Sequence, residues 1–322
     1  MAKMQRMLGF VVLTSVMAQW GCITVNLIEP PGPVQEVQLS GKGDSKVLLL
    51  DLSGVISSQE KDGLLPQPNL LATFKEELTK AQKDDKVKAL VLRINSPGGT
   101  VNASDILYHE LKTFKANKKI PVIASMMDVA ASGGYYLAMA TDAILVHPST
   151  VTGSIGVIML TVNAKGLLEK VGVEANAITS GPRKDMGSPF RTMTPEEKAI
   201  FQGVIDSFYQ QFLTVVQDGR PQLSADQIKK LADGRIYSGE QAKAAGLVDD
   251  IGYLDEAIER AKKNAGLTEA RVVTYRRHGE YQNNIYSRAL GGSGSSLGSL
   301  VNMDLLSIVR GGSLQFMYLW MP

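Results

Sequence analysis

Apolar residues fall in short blocks separated by polar stretches of helical period, and the order of these blocks predicts the fold class before any motif is considered. Lys46 to Leu52 and Val87 to Ile94 read as strands buried on both faces, because their apolar positions run on continuously and do not alternate with polar ones. Leu70 to Gln82 lies between them and reads as a helix, so the three segments form a βαβ unit with a parallel crossover. The order then repeats with a helix from about Ala103 to Ala116, a strand Pro121 to Met126, a helix beginning near Ser132 and a strand Asp142 to Val146. An α/β layered core is the expectation. Further on, Thr194-Pro195-Glu196-Glu197 opens a long helix to about Gln217, with Thr as cap, Pro at the first helical position and Glu at the capping-box position. Ser238 to Gly246 repeats that logic, with Ser238 as cap, Gln241 three residues on and Gly246 as terminator.

The two ends of the chain differ from this body. Lys3 and Arg6 precede an apolar run from Met7 to Ala18, and Gly21 stands directly before Cys22, which reads as an export signal. The arrangement resembles a bacterial lipoprotein signal, which implies cleavage after Gly21 and lipidation of Cys22, although Gln19 and Trp20 depart from the usual lipobox. Left uncleaved, Met7 to Ile28 approaches the roughly 20 residues that span a bilayer and would serve as an anchor. Either way the body is expected on the periplasmic side of a bacterial inner membrane. These observations divide the chain into a signal or anchor (1–22), a linker (23–44) stiffened by Glu29-Pro30-Pro31-Gly32-Pro33, a folded domain (45–278), and a C-terminal stretch (279–322). That last stretch holds a Gly/Ser linker from Gly291 to Ser299 and an apolar tail ending Tyr318-Leu319-Trp320-Met321-Pro322.

Charge and composition narrow the function. Lys and Arg number 34 against 32 Asp and Glu, and a net charge of +2 gives no reason to expect nucleic acid as partner. The single cysteine allows no intramolecular disulfide, and His109, His147 and His278 are too scattered for a zinc-type cluster. Chemistry without metal or cofactor is therefore expected.

Two glycine-rich turns follow strands: Asn95-Ser96-Pro97-Gly98-Gly99 after the second, and Ala130-Ala131-Ser132-Gly133-Gly134 after the third. Open α/β sheets place their sites at such carboxyl ends. Glycine lets a backbone amide approach a ligand closely, and a helix starting just beyond adds partial positive charge, so two such turns can build a hole for an oxyanion. A serine between them would be placed to attack a carbonyl held there. The plainer reading is a pair of tight turns, with Ser132 as a helix N-cap.

Together with Thr152-Gly153-Ser154-Ile155-Gly156-Val157, Ser180-Gly181-Pro182-Arg183-Lys184-Asp185 and Ser188-Pro189, these motifs make the chain resemble the signal peptide peptidase A family from about Val47 to Tyr275. The resemblance implies a crotonase/Clp-protease-like spiral of ββα units with a helical extension. It implies Ser132 as nucleophile, Lys184 as general base, and the backbone N–H groups of Gly98 and Gly133 as oxyanion donors. A lysine accepts a serine proton only where burial or nearby positive charge disfavours its charged form, and Arg183 is a candidate source of that charge. Ser154 is either an orienter of Lys184 or part of a tight turn, and Asp185 is expected to organise its loop. His147 follows a strand and is the alternative base by position, but it matches no catalytic position of the family. Ala242 to Asp249 recurs in the wider group and supports the fold alone.

The resemblance further implies peptide substrates such as signal peptide remnants, and a homo-oligomer in which serine and lysine can come from adjoining subunits. Two rival readings remain. A crotonase-type acyl-CoA enzyme would want Glu or Asp where Ser132 stands. A non-catalytic membrane scaffold would not need Ser132 and Lys184 intact.

Overall fold

The structure, a computed structural model, describes residues 32–59, 69–277, 284–287 and 315–321. The export segment, Cys22 and the Gly/Ser run at 291–299 lie outside the described residues.

Strands β2 (Lys46–Ser53), β3 (Val87–Ser96), β5 (Val122–Ala131) and β6 (Ala143–Val146) form the parallel centre of a mixed sheet. Helices α1 (Leu70–Lys83) and α2 (Val101–Lys118) make the crossovers from β2 to β3 and from β3 to β5. Successive strand side chains point to opposite faces, so a run such as Val47-Leu48-Leu49-Leu50 has to be covered twice. Leu48, Leu50 and Leu52 share one core with Phe74 and Leu78 of α1 and Leu111 of α2. Val47, Leu49, Val91 and Ile123 share the opposite one with Leu254, Ile258 and Ala261 of α8 (Leu254–Asn264). The continuous apolar strands of the sequence are thus the buried layer of a three-layer α/β body.

Short second strands leave this sheet before each crossover. After β2, Ile56 bridges Gly99 in parallel, and after β3 the chain forms β4 (Gly98–Thr100) and only then enters α2. Each of these is a strand, a short strand and a helix, the ββα unit expected. The turn read at Ser96 to Gly99 is therefore half strand. Strand β4 belongs to a second sheet in the order β4, β12 (Phe316–Leu319), β8 (Ile158–Met159), with β12 antiparallel to both neighbours.

Three further boundaries differ from the sequence reading. The segment read as linker up to residue 44 contributes β1 (Gln35–Gly41), which pairs antiparallel with β11 (Arg271–Arg276) at the edge of the sheet. Its one alternation, half-buried Val37 and Leu39 among exposed polar residues, is too short to stand out. Strand β5 runs on past Met126 by changing partner: Ile123 to Met126 pair with β6, whereas Val129 to Ala131 pair with β7 (Val151–Gly153). The end of the apolar tail is β12, packed into the body.

Helix α5 (Pro195–Gly219) begins in the capping box read from the sequence, the Glu197 amide donating to Thr194 Oγ1 at 3.2 Å and the Thr194 amide to Glu197 Oε2 at 2.9 Å. Ser238 and Gln241 cap α7 (Gly239–Ala244) in the same way.

A charged cluster ties three neighbouring strands together. Asp51 on β2 accepts hydrogen bonds from the guanidinium groups of Arg93 on β3 and Arg276 on β11, and the three side chains are 8%, 6% and 4% exposed. Arg93 also donates to the carbonyl of Ser287 at 3.0 Å, pinning the 284–287 turn to the sheet. Breaking a buried pair leaves an uncompensated charge, so Asp51→Asn should lower unfolding free energy by about 3–5 kcal/mol in urea denaturation. An unchanged midpoint would mean that the cluster contributes nothing to stability.

Candidate active site

Ser132 stands where β5 turns into α3 (Gly133–Ala138). Its amide donates to the Gly153 carbonyl at 2.7 Å, and its carbonyl accepts from the Tyr136 amide at 2.8 Å. These bonds hold the residue at φ +52°, a left-handed conformation that serine seldom adopts. An N-cap serine spends its hydroxyl on the first helical amides. Ser132 does not: it makes no side-chain cap bond, it is 1% exposed, and its Oγ has no hydrogen-bond partner among the described residues. Leaving a buried hydroxyl unpaired costs on the order of 1–3 kcal/mol, which a purely structural serine would avoid.

The helix behind it is fixed by Tyr135 and Tyr136, the two residues after the glycine pair. Tyr135 donates to the Leu247 carbonyl at 2.8 Å and Tyr136 to Asp105 Oδ1 at 2.7 Å. Burial pushes both phenols well above their usual range.

The two glycine turns meet. At Gly98, where φ is +98°, an added Cβ would lie 2.6 Å from the Gly133 nitrogen and 2.0 Å from the Tyr318 carbonyl oxygen. Only the absence of a side chain lets the backbones come so close. The expected role of the Gly98 amide needs correction, because that N–H already donates to Ser96 Oγ at 3.1 Å and the Gly98 carbonyl accepts from the Ile56 amide at 2.8 Å. Strand geometry turns the next residue the other way. The Trp320 amide donates to the Pro97 carbonyl at 2.9 Å, and hydrogen-bonded antiparallel pairs recur every second residue, so the Gly99–Tyr318 pair is hydrogen-bonded too. The Gly99 N–H therefore points toward β12 and the Tyr318 carbonyl.

Ser154 follows β7 as Ser132 follows β5. Ala131 and Gly153 are register partners, so the two serines leave adjacent parallel strands side by side. Ser154 is also left-handed, at φ +50°, and its amide donates to the Arg235 carbonyl at 2.8 Å. The structure therefore gathers Ser132, Ser154 and the glycine turns at one place.

Lys184 makes no hydrogen bond or ion pair with these residues. It is exposed, on a turn in which its amide donates to the Gly181 carbonyl at 3.1 Å, and its side chain has no partner among the described residues. The surrounding arm carries α4 (Lys165–Lys170) and bares Leu167 (65% exposed), Val171 (64%), Ile178 (103%) and Phe190 (50%). One clamp holds its base. Arg191 donates to both oxygens of Asp185, at 2.6 and 2.8 Å, and to both oxygens of Glu197. These bonds hold both carboxyls below their usual range and raise the guanidinium. Asp185 is thus occupied in organising its loop. His147 bonds to Ser149 Oγ at 2.8 Å, and its amide donates to the carbonyl of Met126, six residues before Ser132, a separation on the order of 20 Å along an extended strand.

Comparison with known proteins decides the class. A sequence profile of peptidase family S49 matches residues 114–268, and one of Clp protease matches residues 68–153. A candidate signal peptide peptidase SppA of Enterococcus faecium is 39% identical over 243 residues, covering 75% of this chain and 70% of that protein. A candidate protease of Synechocystis is 40% identical over 227 residues, covering 70% and 77%. The chain belongs to peptidase family S49. Protease 4 of Salmonella typhi is 39% identical over 203 residues, 63% of this chain and 32% of that protein. This S49 chain is a serine peptidase with a Clp-protease-like α/β fold, and its relatives include the bacterial SppA and Protease 4 peptidases. Among the described residues no helix is long and apolar enough to cross a membrane.

Sequence reasoning missed Arg191, which lies six residues from both Asp185 and Glu197 and forms no recognisable motif, and it missed the strand at the C-terminus. Gly98→Ala would drive a methyl against the Gly133 amide nitrogen and the Tyr318 carbonyl, in a conformation alanine resists. We expect it to lower kcat/KM on a peptide substrate by about 10²–10³-fold. Activity within twofold of the parent would show that this turn does not line the reacting centre.

Proposed function

We propose that this S49 peptidase is a membrane-tethered endopeptidase that cleaves signal peptide remnants or other membrane-proximal peptides, with Ser132 as nucleophile and Lys184 of an adjoining subunit as general base. The observation that carries this reading is the buried, unpartnered Ser132 hydroxyl at the meeting point of two glycine turns. The Gly99 and Gly133 amides are the oxyanion donors. Ser132 Oγ attacks the peptide carbonyl carbon, and the oxygen gains charge beside those amides. Lysine takes the serine proton and passes it to the leaving amine. Water then attacks the acyl ester, restoring the serine hydroxyl and releasing the new carboxylate.

Lys184 is exposed and its side chain has no partner among the described residues, which supports a base completed by a second copy. An exposed arm with bare Leu167, Val171 and Ile178 is a surface that a second copy would cover. Covering it takes the lysine out of water, the condition under which an amine can accept a proton near neutral pH. Ser154, beside Ser132, is positioned to orient the incoming amine. Tethering rests on the export pattern before Cys22.

A fluorophosphonate probe on the purified full chain should label Ser132, and the label should vanish in Ser132→Ala and Lys184→Ala. Mixing the two inactive variants under conditions that exchange subunits should restore part of the activity, since one supplies serine and the other lysine. Labelling that maps to another residue, or persists in Ser132→Ala, would overturn the assignment; silence of the mixture with full labelling of the parent would place the lysine in the same subunit.

A further inference from the structure

None of residues 181–192, the turns that carry Lys184, is buried. A cavity of about 410 Å³ is bordered by Gly187, Ser188 and Arg191 on the arm and by Lys198, Phe201 and Ile205 on α5, so apolar packing does not fix the turns against the helix. Their own backbone bonds run within them, from the Lys184 amide to the Gly181 carbonyl at 3.1 Å and from the Ser188 amide to the Asp185 carbonyl at 3.0 Å. Bonds of that kind set the shape of a turn and leave its direction free. A general base needs a direction, because proton transfer requires the amine within hydrogen-bond reach of the serine oxygen.

Arg191 ties these turns to the body. All five N–H groups of its guanidinium are used: Nε and Nη2 donate to the two oxygens of Asp185 at 2.6 and 2.8 Å, Nη1 and Nη2 donate to the two oxygens of Glu197, and Nη1 donates again to the Thr192 carbonyl at 3.3 Å. A planar fork holds two carboxylates in a set orientation, which an ammonium group cannot do. Asp185 is the residue after Lys184. Glu197 lies in the first turn of α5, where its Oε2 also accepts from the Thr194 amide. About 21 Å further along the same helix, Gln211 Nε2 donates to Asp105 Oδ1 at 2.9 Å and to the Tyr136 hydroxyl at 3.3 Å. Tyr136 belongs to α3, which starts directly after Ser132. One helix therefore joins the turn that bears the lysine to the helix behind the serine.

We propose that Arg191 is a positioning residue for the peptidase reaction: it anchors Asp185 to the first turn of α5 and thereby aims Lys184 at the serine it serves. This rests on Lys184 being the general base. With every N–H engaged, Arg191 has none left for a peptide, so its loss slows the turnover of bound substrate and leaves binding as it was.

The test uses the full chain carrying Arg191→Lys, Arg191→Gly or Lys184→Ala, each assayed beside the parent for hydrolysis of a peptide substrate, with circular dichroism as the check on folding. Arg191→Lys keeps the charge and loses the fork, and it is expected to lower kcat by about 10²-fold with KM within about twofold of the parent. Guanidinium chloride at about 50 mM, far below denaturing concentrations, is expected to raise kcat of Arg191→Gly by about tenfold and to leave Arg191→Lys, whose side chain fills the site, unchanged. If Arg191→Gly does not fold, the kcat and KM of folded Arg191→Lys decide the matter by themselves. Parental kcat in Arg191→Lys, or a loss carried by KM with kcat kept, would overturn the proposal while an inactive Lys184→Ala left the base in place. Parental activity in Lys184→Ala would overturn it together with the reading on which it rests.

Discussion

The site depends on two stretches of backbone that approach more closely than any side chain permits. Gly98 of one turn abuts Gly133 of the other, and a single Cβ between them would fall within 2.6 Å of an amide nitrogen. This contact requires that β3 and β5 end beside each other, which their parallel pairing through Leu90 to Ile94 enforces. It also requires β5 to leave β6 for β7 before it ends, so that Ser132 emerges next to Ser154 and not beside His147. The buried layer of apolar strands is what makes this arrangement rigid. Val47 to Leu52 and Val87 to Ile94 are covered on both faces, and the sheet cannot shift without exposing one of them.

Much of this was legible in the sequence because it rests on local rules. Continuous apolar strands, the Thr194–Glu197 and Ser238–Gln241 capping boxes and the ends of the long helix follow from spacing alone, and the structure reproduces them. The residues gathered at the carboxyl ends of β3 and β5 were legible as well. What was hidden depends on pairing at a distance. Strand β1 is polar because one side of an edge strand faces water, so Gln35 to Gly41 looks like linker. The distinction between Gly98 and Gly99 turns on which way the pleat faces, and that is set by Ile56 and by β12, neither of which adjoins the motif. The tail reads as a bare apolar end because its partners, β4 and β8, are more than 150 residues away in sequence.

The two halves of the chemistry are held differently. The serine and its amides are locked into the sheet and the start of α3, whereas Lys184 rides on an exposed arm whose one firm tie is the Arg191 clamp between Asp185 and Glu197. Under the proposed mechanism, a nucleophile held in the sheet and a base carried on an exposed arm would make activity depend on assembly. Tyr136 ties the rigid side together, anchoring the helix behind Ser132 through Asp105 and stacking on Tyr318.

The most direct test of the account is a crystal structure of the assembled full chain with a fluorophosphonate bound covalently. The account predicts phosphorus on Ser132 Oγ, a phosphonyl oxygen about 3 Å from both the Gly99 and Gly133 amides, and Lys184 of a neighbouring subunit within hydrogen-bond reach of Oγ. A phosphonyl oxygen turned away from the glycine turns, or a site that no lysine reaches in the assembled protein, would contradict it.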